Sequence, residues 1–372
     1  MLGPNPTSRM PTAFITPPGL PSQNLFDAAD FARQRAFFAA RPELEPTPLH
    51  RCAALARHLG VGDLLVKDET ARFGLNAFKA AGALFAVAIL RDRGDLHRGD
   101  TLVCASEGNH GRAVAYAARE AGCAAKVYMS SLVSPVRVDA IRNEGADVTL
   151  IDGSYDDAVR AMAGDAAAHR WTVISDTSWH GYEEIPRLIM LGYTRIMDEI
   201  ETKPDVIFVP AGVGGLLAAI ACWEHWSHDA SRPRIAAVEP ASASCVQASV
   251  RAGHPTTLLG PFDTAMGGLR CGVMSRSVFP AVQTLVDAFI GIEDEFAFEG
   301  MRLLARPAPP DPRVECGPSG AAACGGLLAA ITDPGLDAVR RFLPLSSDST
   351  VLLLVTEGVT DPALYQEVMA RR

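Results

Sequence analysis

A lysine at the start of an apolar helix pattern is the residue of this chain best suited to covalent chemistry. Lys79 follows Asn76-Ala77-Phe78 and precedes Ala80-Ala81-Gly82-Ala83-Leu84-Phe85-Ala86. The positive end of a helix dipole disfavours an ammonium group there, and apolar surroundings favour the neutral amine. A neutral lysine amine can form an imine with an aldehyde. Taken alone, Lys79 is more typical of a side chain that keeps its ammonium group in water.

A glycine-rich turn further along the chain is suited to a phosphate. Gly212-Val213-Gly214-Gly215-Leu216 lies between the predicted strand Val206–Pro210 and a predicted helix. Backbone N–H groups at a helix N-terminus favour an anion, although such a turn is more often only a tight connection. The turn lacks a phosphate-binding lysine, and its glycine spacing does not match a dinucleotide motif. A ligand with an aldehyde and a phosphate indicates pyridoxal 5′-phosphate, which withdraws electrons from the α-carbon of an amino acid.

Two further polar residues follow predicted strands and could contact the ring of this cofactor. Asn109 lies in the turn Ser106–Gly111, and its amide could donate to the ring hydroxyl oxygen. Thr356 ends the predicted strand Val351–Val355, where its hydroxyl could meet the pyridine nitrogen. A hydroxyl is too weak an acid to protonate that nitrogen, so the ring would be a modest electron sink, which suits α,β-elimination. In isolation, both residues are also typical of ordinary turns and strand ends.

The composition of the chain excludes several classes of protein. The 34 basic and 43 acidic residues give a net charge of −9 without any Lys/Arg run, which argues against nucleic-acid or anionic-membrane binding. The 48% hydrophobic content predicts a large core, and apolar runs such as Val351–Val355 are too short to span a bilayer. With 372 residues, the chain is expected to form two domains that share a cleft.

The cysteines and the N-terminus predict a soluble, cytoplasmic protein. The 8 cysteines show no CxxC pairing, so neither a metal site nor a disulfide scaffold is indicated. Residues 1–25 are dense in proline, are expected to form an irregular arm, and do not resemble a secretory signal.

Short apolar strands are predicted to alternate with helices, which is typical of a parallel sheet covered on both faces. The predicted strands are Asp63–Lys67, Thr101–Ala105, Lys126–Met129, Val148–Ile151, Thr172–Ser175, Val206–Pro210, Ile235–Glu239 and Val351–Val355. The predicted helices are Asp27–Ala40, Arg51–Leu59, Ala80–Arg91, Gly111–Ala121, Pro135–Glu144, Tyr155–His169, Pro186–Ile200 and Leu216–His225.

Together these motifs resemble the fold-type II pyridoxal phosphate enzymes, and within that group the diaminopropionate ammonia-lyases. The resemblance runs from Pro46-Thr47-Pro48-Leu49 to Thr356-Glu357-Gly358. The motifs that carry it are Lys67–Lys79, Gly108-Asn109-His110-Gly111-Arg112, Asp176-Thr177-Ser178-Trp179-His180-Gly181-Tyr182, Ile185-Pro186 and Gly192-Tyr193.

The resemblance implies an α/β fold like that of the tryptophan synthase β chain, with two domains and the active site in their cleft. Each domain is expected to hold a mainly parallel twisted sheet flanked by helices. The implied division is an N-terminal arm and helix over residues 1–45, a large cofactor-binding domain over 46–78 plus 190–372, and a smaller mobile domain over 79–189. Homodimers are common in the group, so a homodimer is expected here.

The resemblance also implies the roles of the site residues. Lys79, Glu107 and Asp176 are the expected catalytic groups, and Glu107 stands where the family carries an aspartate that acts on the α-proton of the D-substrate. Ser106, Gly108 and Asp176 are expected to bind substrate. The expected cofactor contacts are Lys79, Phe78, Asn109, Gly212, Val213, Gly214, Gly215, Leu216 and Thr356.

The sequence is therefore interpreted as that of an ammonia-lyase that removes a β-substituent from a small amino acid. The expected substrate is 2,3-diaminopropionate, as the D or L form, and the expected products are pyruvate and ammonia. Three alternatives stay open: a dehydratase of a β-hydroxy amino acid, a β-replacement synthase, and a non-catalytic ligand-binding relative. The intact Lys79 and the two acids Glu107 and Asp176 argue against the last of these.

Overall fold

The computed structural model describes residues 12–371, in which strands and helices alternate along most of the chain. The strands are β1 (Thr12–Ile15), β2 (Leu49–Arg51), β3 (Asp63–Asp68), β4 (Thr101–Ala105), β5 (Ala124–Ser130), β6 (Asp147–Ile151), β7 (Thr172–Val173), β8 (Val206–Pro210), β9 (Arg234–Pro240), β10 (Ala288–Ile292) and β11 (Thr350–Val355). The helices are α1 (Ala28–Ala39), α2 (Ala53–Leu59), α3 (Lys79–Arg93), α4 (Asn109–Ala121), α5 (Pro135–Arg142), α6 (Tyr155–His169), α7 (Glu184–Tyr193), α8 (Arg195–Asp198), α9 (Gly215–His228), α10 (Cys245–Ala252), α11 (Phe279–Leu285), α12 (Asp294–Ala305), α13 (Pro318–Thr332), α14 (Asp337–Phe342) and α15 (Pro362–Ala370).

The first of two compact units is built on a seven-stranded sheet. It comprises the described parts of Met1–Leu25, Thr47–Thr70 and Ile200–Arg372. The strand order is β1-β10-β9-β8-β11-β3-β2, in which the inner strands are parallel and the two edge strands pair antiparallel. Helix α13 is rich in Ala and Gly and is buried along nearly its whole length, because small side chains let it lie against several strands of the sheet.

The second unit comprises Phe26–Pro46 and Ala71–Glu199. Its sheet has the order β6-β5-β4-β7, and all pairs are parallel. Helix α3 packs on α7 at unusually short range: a Cβ on Gly82 would lie 2.4 Å from Tyr193 Cε1, and a Cβ on Gly192 would lie 2.7 Å from the Ala81 carbonyl oxygen. Only glycine therefore allows this contact, which fixes the helix that begins at Lys79.

The predicted fold class is confirmed, because each unit holds a mainly parallel sheet flanked by helices. The unit boundaries do not follow the predicted division everywhere. The second unit includes residues 26–45, which were predicted as part of an N-terminal segment. It also includes residues 71–78 and 190–199, which were predicted for the large domain. The packing of α7 on α3 explains why residues 190–193 stay with the lysine-bearing helix.

Some individual elements differ from the prediction. The arm expected to be irregular forms β1, which pairs with β10, a strand that was not predicted; the prolines Pro4, Pro6 and Pro11 lie outside the described residues. The single helix expected over Pro186–Ile200 is two helices, α7 and α8. Thr194 lies at the break, where its hydroxyl donates to the Leu191 carbonyl oxygen at 2.7 Å.

Two further predicted elements start or end elsewhere. Helix α2 begins at Ala53 rather than Arg51, because Leu49–Arg51 pairs with β3 as an edge strand. Strand β7 ends at Val173 rather than Ser175. Among residues 12–371, no helix has the length and apolar character needed to cross a membrane.

Candidate active site

Lys79 is the first residue of α3 and its amine contacts a carboxylate. The Nζ atom forms an ion pair with Asp176 Oδ2, and it lies 5.8 Å from the centre of the Phe78 ring. The Phe78 ring packs edge-on against Tyr193 at 4.8 Å between centroids. The two side chains of the ion pair are 21% and 16% exposed, so they lie in a recess that solvent reaches only in part.

His110 completes this cluster from the first turn of α4. Its Nε2 lies 2.8 Å from the Ile174 carbonyl oxygen, and because a carbonyl only accepts, Nε2 carries the proton. Its Nδ1 lies 3.7 Å from Asp176 Oδ2. Burial lowers the pKa of His110, and the neighbouring Asp176 carboxylate opposes that shift. Sequence reasoning made no catalytic claim for His110, which the structure places beside the predicted residues Lys79 and Asp176.

Electrostatics keep the Asp176 carboxylate charged. Burial alone would raise the Asp176 pKa, but the His110 ring and the Lys79 ammonium outweigh it and hold that pKa well below its usual range. The Asp176 carboxylate is therefore the anionic member of the cluster, and it binds the primary ammonium group of Lys79.

Tyr182 fixes the backbone that leads to Asp176. Its hydroxyl accepts from the Ser175 N–H at 2.9 Å and donates to the Val173 carbonyl oxygen at 2.8 Å. The Tyr182 ring stacks on Trp179, with 4.1 Å between centroids and 11° between planes. These contacts join Tyr182 to the residues just before Asp176, so the chain from Asp176 to Tyr182 forms a closed loop. Sequence reasoning did not find this role for Tyr182.

The turn after β4 carries the next group of predicted residues. Ser106 Oγ accepts from the Gly108 N–H at 3.1 Å and the Gly111 N–H at 2.9 Å, which fastens the turn to the start of α4. Glu107 and Asn109 are half-buried in the same turn, and the Glu107 carbonyl oxygen accepts from Arg137 Nη1 at 3.4 Å. The Ser106 hydroxyl hydrogen is not used by these two bonds, so it can serve as a donor to a carboxylate.

In the other unit, the predicted phosphate turn connects β8 to α9. The Val213 carbonyl oxygen accepts from the Ser275 N–H at 2.8 Å, which anchors the turn. Gly214 has φ +91°, a conformation that favours glycine, and a Cβ there would lie 3.1 Å from Val278 Cγ2. The first N–H groups of α9 have no partner within the helix. A helix N-terminus that follows Gly212, Gly214 and Gly215 fits a phosphate group.

Thr356 lies directly after β11 in that same unit, and it is buried. Its hydroxyl donates weakly to the Ser319 carbonyl oxygen at 3.4 Å, while Ser319 Oγ accepts from the Gly268 N–H at 2.9 Å. The buried Glu357 carboxylate adjoins them, since a Cβ on Gly268 would lie 3.3 Å from Glu357 Oε2. Sequence reasoning assigned Thr356 a role but gave none to Ser319 or Glu357. Their only signal was the strings Gly317-Pro318-Ser319-Gly320 and Thr356-Glu357-Gly358.

Comparison with known proteins agrees with these features. The sequence pattern of the family described as "Pyridoxal-phosphate dependent enzyme" matches residues 40–356. Diaminopropionate ammonia-lyase of Escherichia coli strain K12 is 34% identical over 367 residues, which covers 93% of this chain and 92% of that protein. The enzyme of the same name from Salmonella typhimurium is 35% identical over 364 residues, with 90% of each chain covered.

A solved structure extends the likeness to three dimensions. The crystal structure of the Escherichia coli diaminopropionate ammonia-lyase in complex with an aminoacrylate–pyridoxal phosphate reaction intermediate superposes with a TM-score of 0.87. It is 34% identical to this chain, and the match covers 96% of both chains. The chain belongs to the pyridoxal-phosphate-dependent enzyme family and, within it, to the diaminopropionate ammonia-lyases.

Proposed function

We propose that this chain eliminates ammonia from 2,3-diaminopropionate and releases pyruvate. With one water, each substrate molecule gives one pyruvate and two ammonia. The cofactor, pyridoxal 5′-phosphate, supplies the electron sink that makes the α-proton acidic and allows the β-group to leave. The remaining roles are proposed for the side chains of this protein.

The observation that carries the proposal is the contact between Lys79 and Asp176. The Asp176 carboxylate binds a primary ammonium group in the protein as it stands, and its pKa is held low enough to keep it charged. The β-ammonium of a diamino acid is chemically the same group as the lysine ammonium. A β-hydroxyl is neutral and gains no ionic attraction from a carboxylate. This difference favours a diamino acid over serine or threonine as the substrate.

The site residues are proposed to act as follows. Lys79 binds the cofactor covalently and then acts as one acid/base at the substrate. Glu107 takes the α-proton from one face. The Asp176 carboxylate holds the β-ammonium, which is already protonated and leaves as neutral ammonia when the C–N bond breaks. The Ser106 hydroxyl and the Gly108 backbone bind the α-carboxylate.

The cofactor contacts are likewise proposed. Phe78 lies beside the Lys79 amine, and Asn109 donates to the ring hydroxyl oxygen. Thr356 meets the ring nitrogen. The phosphate is bound by the turn formed by Gly212, Val213, Gly214, Gly215 and Leu216.

The test of the substrate compares D- and L-2,3-diaminopropionate with D- and L-serine and L-threonine, without an added nucleophile. We expect 2-oxo acid and ammonia to form fastest from 2,3-diaminopropionate. Asp176→Asn should lower kcat/KM for the diamino acid more than for serine, because the ionic contact is lost. A wild-type preference for serine, with the same ratio in Asp176→Asn, would instead identify a dehydratase. Absence of steady-state 2-oxo acid release in this assay, which contains no added nucleophile, would identify a replacement enzyme.

The covalent role of Lys79 is tested by borohydride reduction followed by peptide mapping. We expect the cofactor to be fixed on Lys79 in the wild type and in Lys126→Ala, a control that removes an amine paired with Asp147 in the same unit. Lys79→Ala should lose both the label and nearly all turnover. A label on another lysine would contradict the assignment.

We also propose a cytoplasmic homodimer, which rests on the resemblance to the family. Light scattering at micromolar concentration should give twice the mass of the chain, and a monomer would contradict it.

A further inference from the structure

A cluster of three charges, two of which are buried, lies next to the segment that leads to Lys79. Arg72 Nη1 and Nη2 contact Glu199 Oε1 and Oε2 at 2.6 and 2.9 Å, and Arg195 Nε contacts Glu199 Oε1 at 2.7 Å. The Arg72 side chain is 0% exposed and that of Glu199 is 2% exposed. The cluster therefore joins the start of the lysine segment to the end of α8.

Stability alone is a poor reason for such a cluster. Removing charges from water is costly, and a buried ion pair can often be replaced by apolar residues without loss of stability. What a two-bond arginine–carboxylate contact adds is a fixed geometry, because both planar groups have one mutual orientation.

The segment that this geometry holds has an unusual backbone. Between Arg72 and Lys79, three residues have positive φ: Phe73 at 53°, Gly74 at 76° and Asn76 at 23°. Phe73 and Asn76 carry side chains, so their conformation is unfavourable unless the surroundings impose it. The cluster supplies a restraint at the N-terminal end of this segment.

The other end of the segment is restrained by the same part of the chain. Tyr193, two residues before Arg195, packs on Phe78 and closely approaches Gly82 on α3. The connection from α7 through α8 thus contacts the chain on both sides of Lys79. The charged contact of Arg72 restrains the backbone at the start of the segment, and the aromatic contact of Tyr193 with Phe78 restrains it next to Lys79.

We propose that the cluster of Arg72, Glu199 and Arg195 positions Lys79 for covalent binding of the cofactor. This inference rests on the proposed function of Lys79. The three residues act through the backbone and do not touch cofactor or substrate. Without the cluster, the segment would relax to ordinary φ values and the amine would be presented in several orientations.

The test measures how fast the full-length protein, freed of cofactor, binds pyridoxal phosphate covalently. Arg72→Lys keeps the charge but cannot form the two-bond contact. Arg72→Met/Glu199→Gln removes the buried pair together and is expected to fold, since no unpaired carboxylate remains. We expect both variants to bind the cofactor covalently at least about tenfold more slowly, because displacements of about 1 Å strongly reduce reactivity. The readouts are the absorption band of the lysine-bound cofactor and the fraction fixed on Lys79 by borohydride.

Arg35→Gln is the matched control. It removes an ion pair at 2.8 Å with Asp198, the residue next to Glu199, but leaves the lysine segment untouched. This control should bind the cofactor at the wild-type rate. If the double variant also binds at that rate, whatever its thermal stability, the cluster has only a structural role. A wild-type protein in which borohydride does not label Lys79 would instead contradict the proposed function.

Discussion

Replacing Tyr182 by phenylalanine is expected to loosen the backbone that leads to Asp176. The change removes one oxygen, which accepts from the Ser175 N–H at 2.9 Å and donates to the Val173 carbonyl oxygen at 2.8 Å. The stacked contact with Trp179 is kept, because the ring is unchanged. Two hydrogen bonds of about 0.5–1.5 kcal/mol each give a local loss of about 1–3 kcal/mol.

Two measurements report on this loss. Hydrogen exchange of a peptide that contains Ser175 should become about 5–150-fold faster. A loss of about 1–3 kcal/mol raises the equilibrium constant for local opening by that factor. The value of kcat/KM for 2,3-diaminopropionate should fall by about tenfold or more, since Asp176 would no longer be held in place and displacements of about 1 Å matter greatly to rate.

Tyr116→Phe is the control for removal of a tyrosine hydroxyl in the same unit. The Tyr116 ring lies 5.2 Å from the Arg119 guanidinium, and a phenyl ring keeps that contact. Wild-type exchange and wild-type kcat/KM in Tyr182→Phe would refute the reasoning. Faster exchange with unchanged kcat/KM would show that Tyr182 stabilises the segment without positioning Asp176.

Three further predictions concern other parts of the chain. Glu107→Gln should abolish turnover of one enantiomer of 2,3-diaminopropionate and largely spare the other, as measured with each enantiomer separately; equal effects on both would make Glu107 structural. Gly214→Val should release the cofactor in equilibrium dialysis, because a side chain would enter the phosphate turn, whereas Thr356→Ala should lose only the ~0.5–1.5 kcal/mol of one neutral hydrogen bond. Burial raises the pKa of Glu224 from 4.5 to about 7. The unfolded chain therefore loses this proton at a lower pH than the folded protein does. The stability of the wild type consequently falls as the pH rises from 4.5 to about 7. Glu224→Gln should therefore unfold at the same urea concentration as the wild type near pH 4.5 but be more stable by up to about 3 kcal/mol above pH 7; no pH dependence of the difference would contradict it.

Much of the fold could be predicted because local patterns agree with it. Strands β4 and β8 and helix α6 have the predicted bounds, since apolar runs between turn signals suffice to define them. Strand β1 could not be found in this way, because Thr12–Ile15 becomes a strand only through its pairing with β10, more than 270 residues further along the chain.

The candidate site shows the same contrast between local and distant information. Lys79 and the glycine turn could be proposed as site residues from the residues that neighbour them in the sequence. The position of His110 in the cluster could not be predicted, because its neighbours Asp176 and Ile174 approach it only in the folded unit. Nor could the pairing of Arg72 with Glu199 be predicted, since the two are separated by 127 residues.

The strand order of the smaller sheet has a consequence for biosynthesis. Lys79 and Asp176 are 97 residues apart, and β7, which precedes Asp176, pairs only with β4 among the strands of the described chain. During translation β5, β6 and the helices between them must emerge before β7 can take its place beside β4. A nascent chain therefore exposes Lys79 long before Asp176 exists to pair with its ammonium group. The covalent capture of the cofactor proposed for Lys79, with the full carboxylate contact, therefore has to wait until the ribosome has passed residue 176.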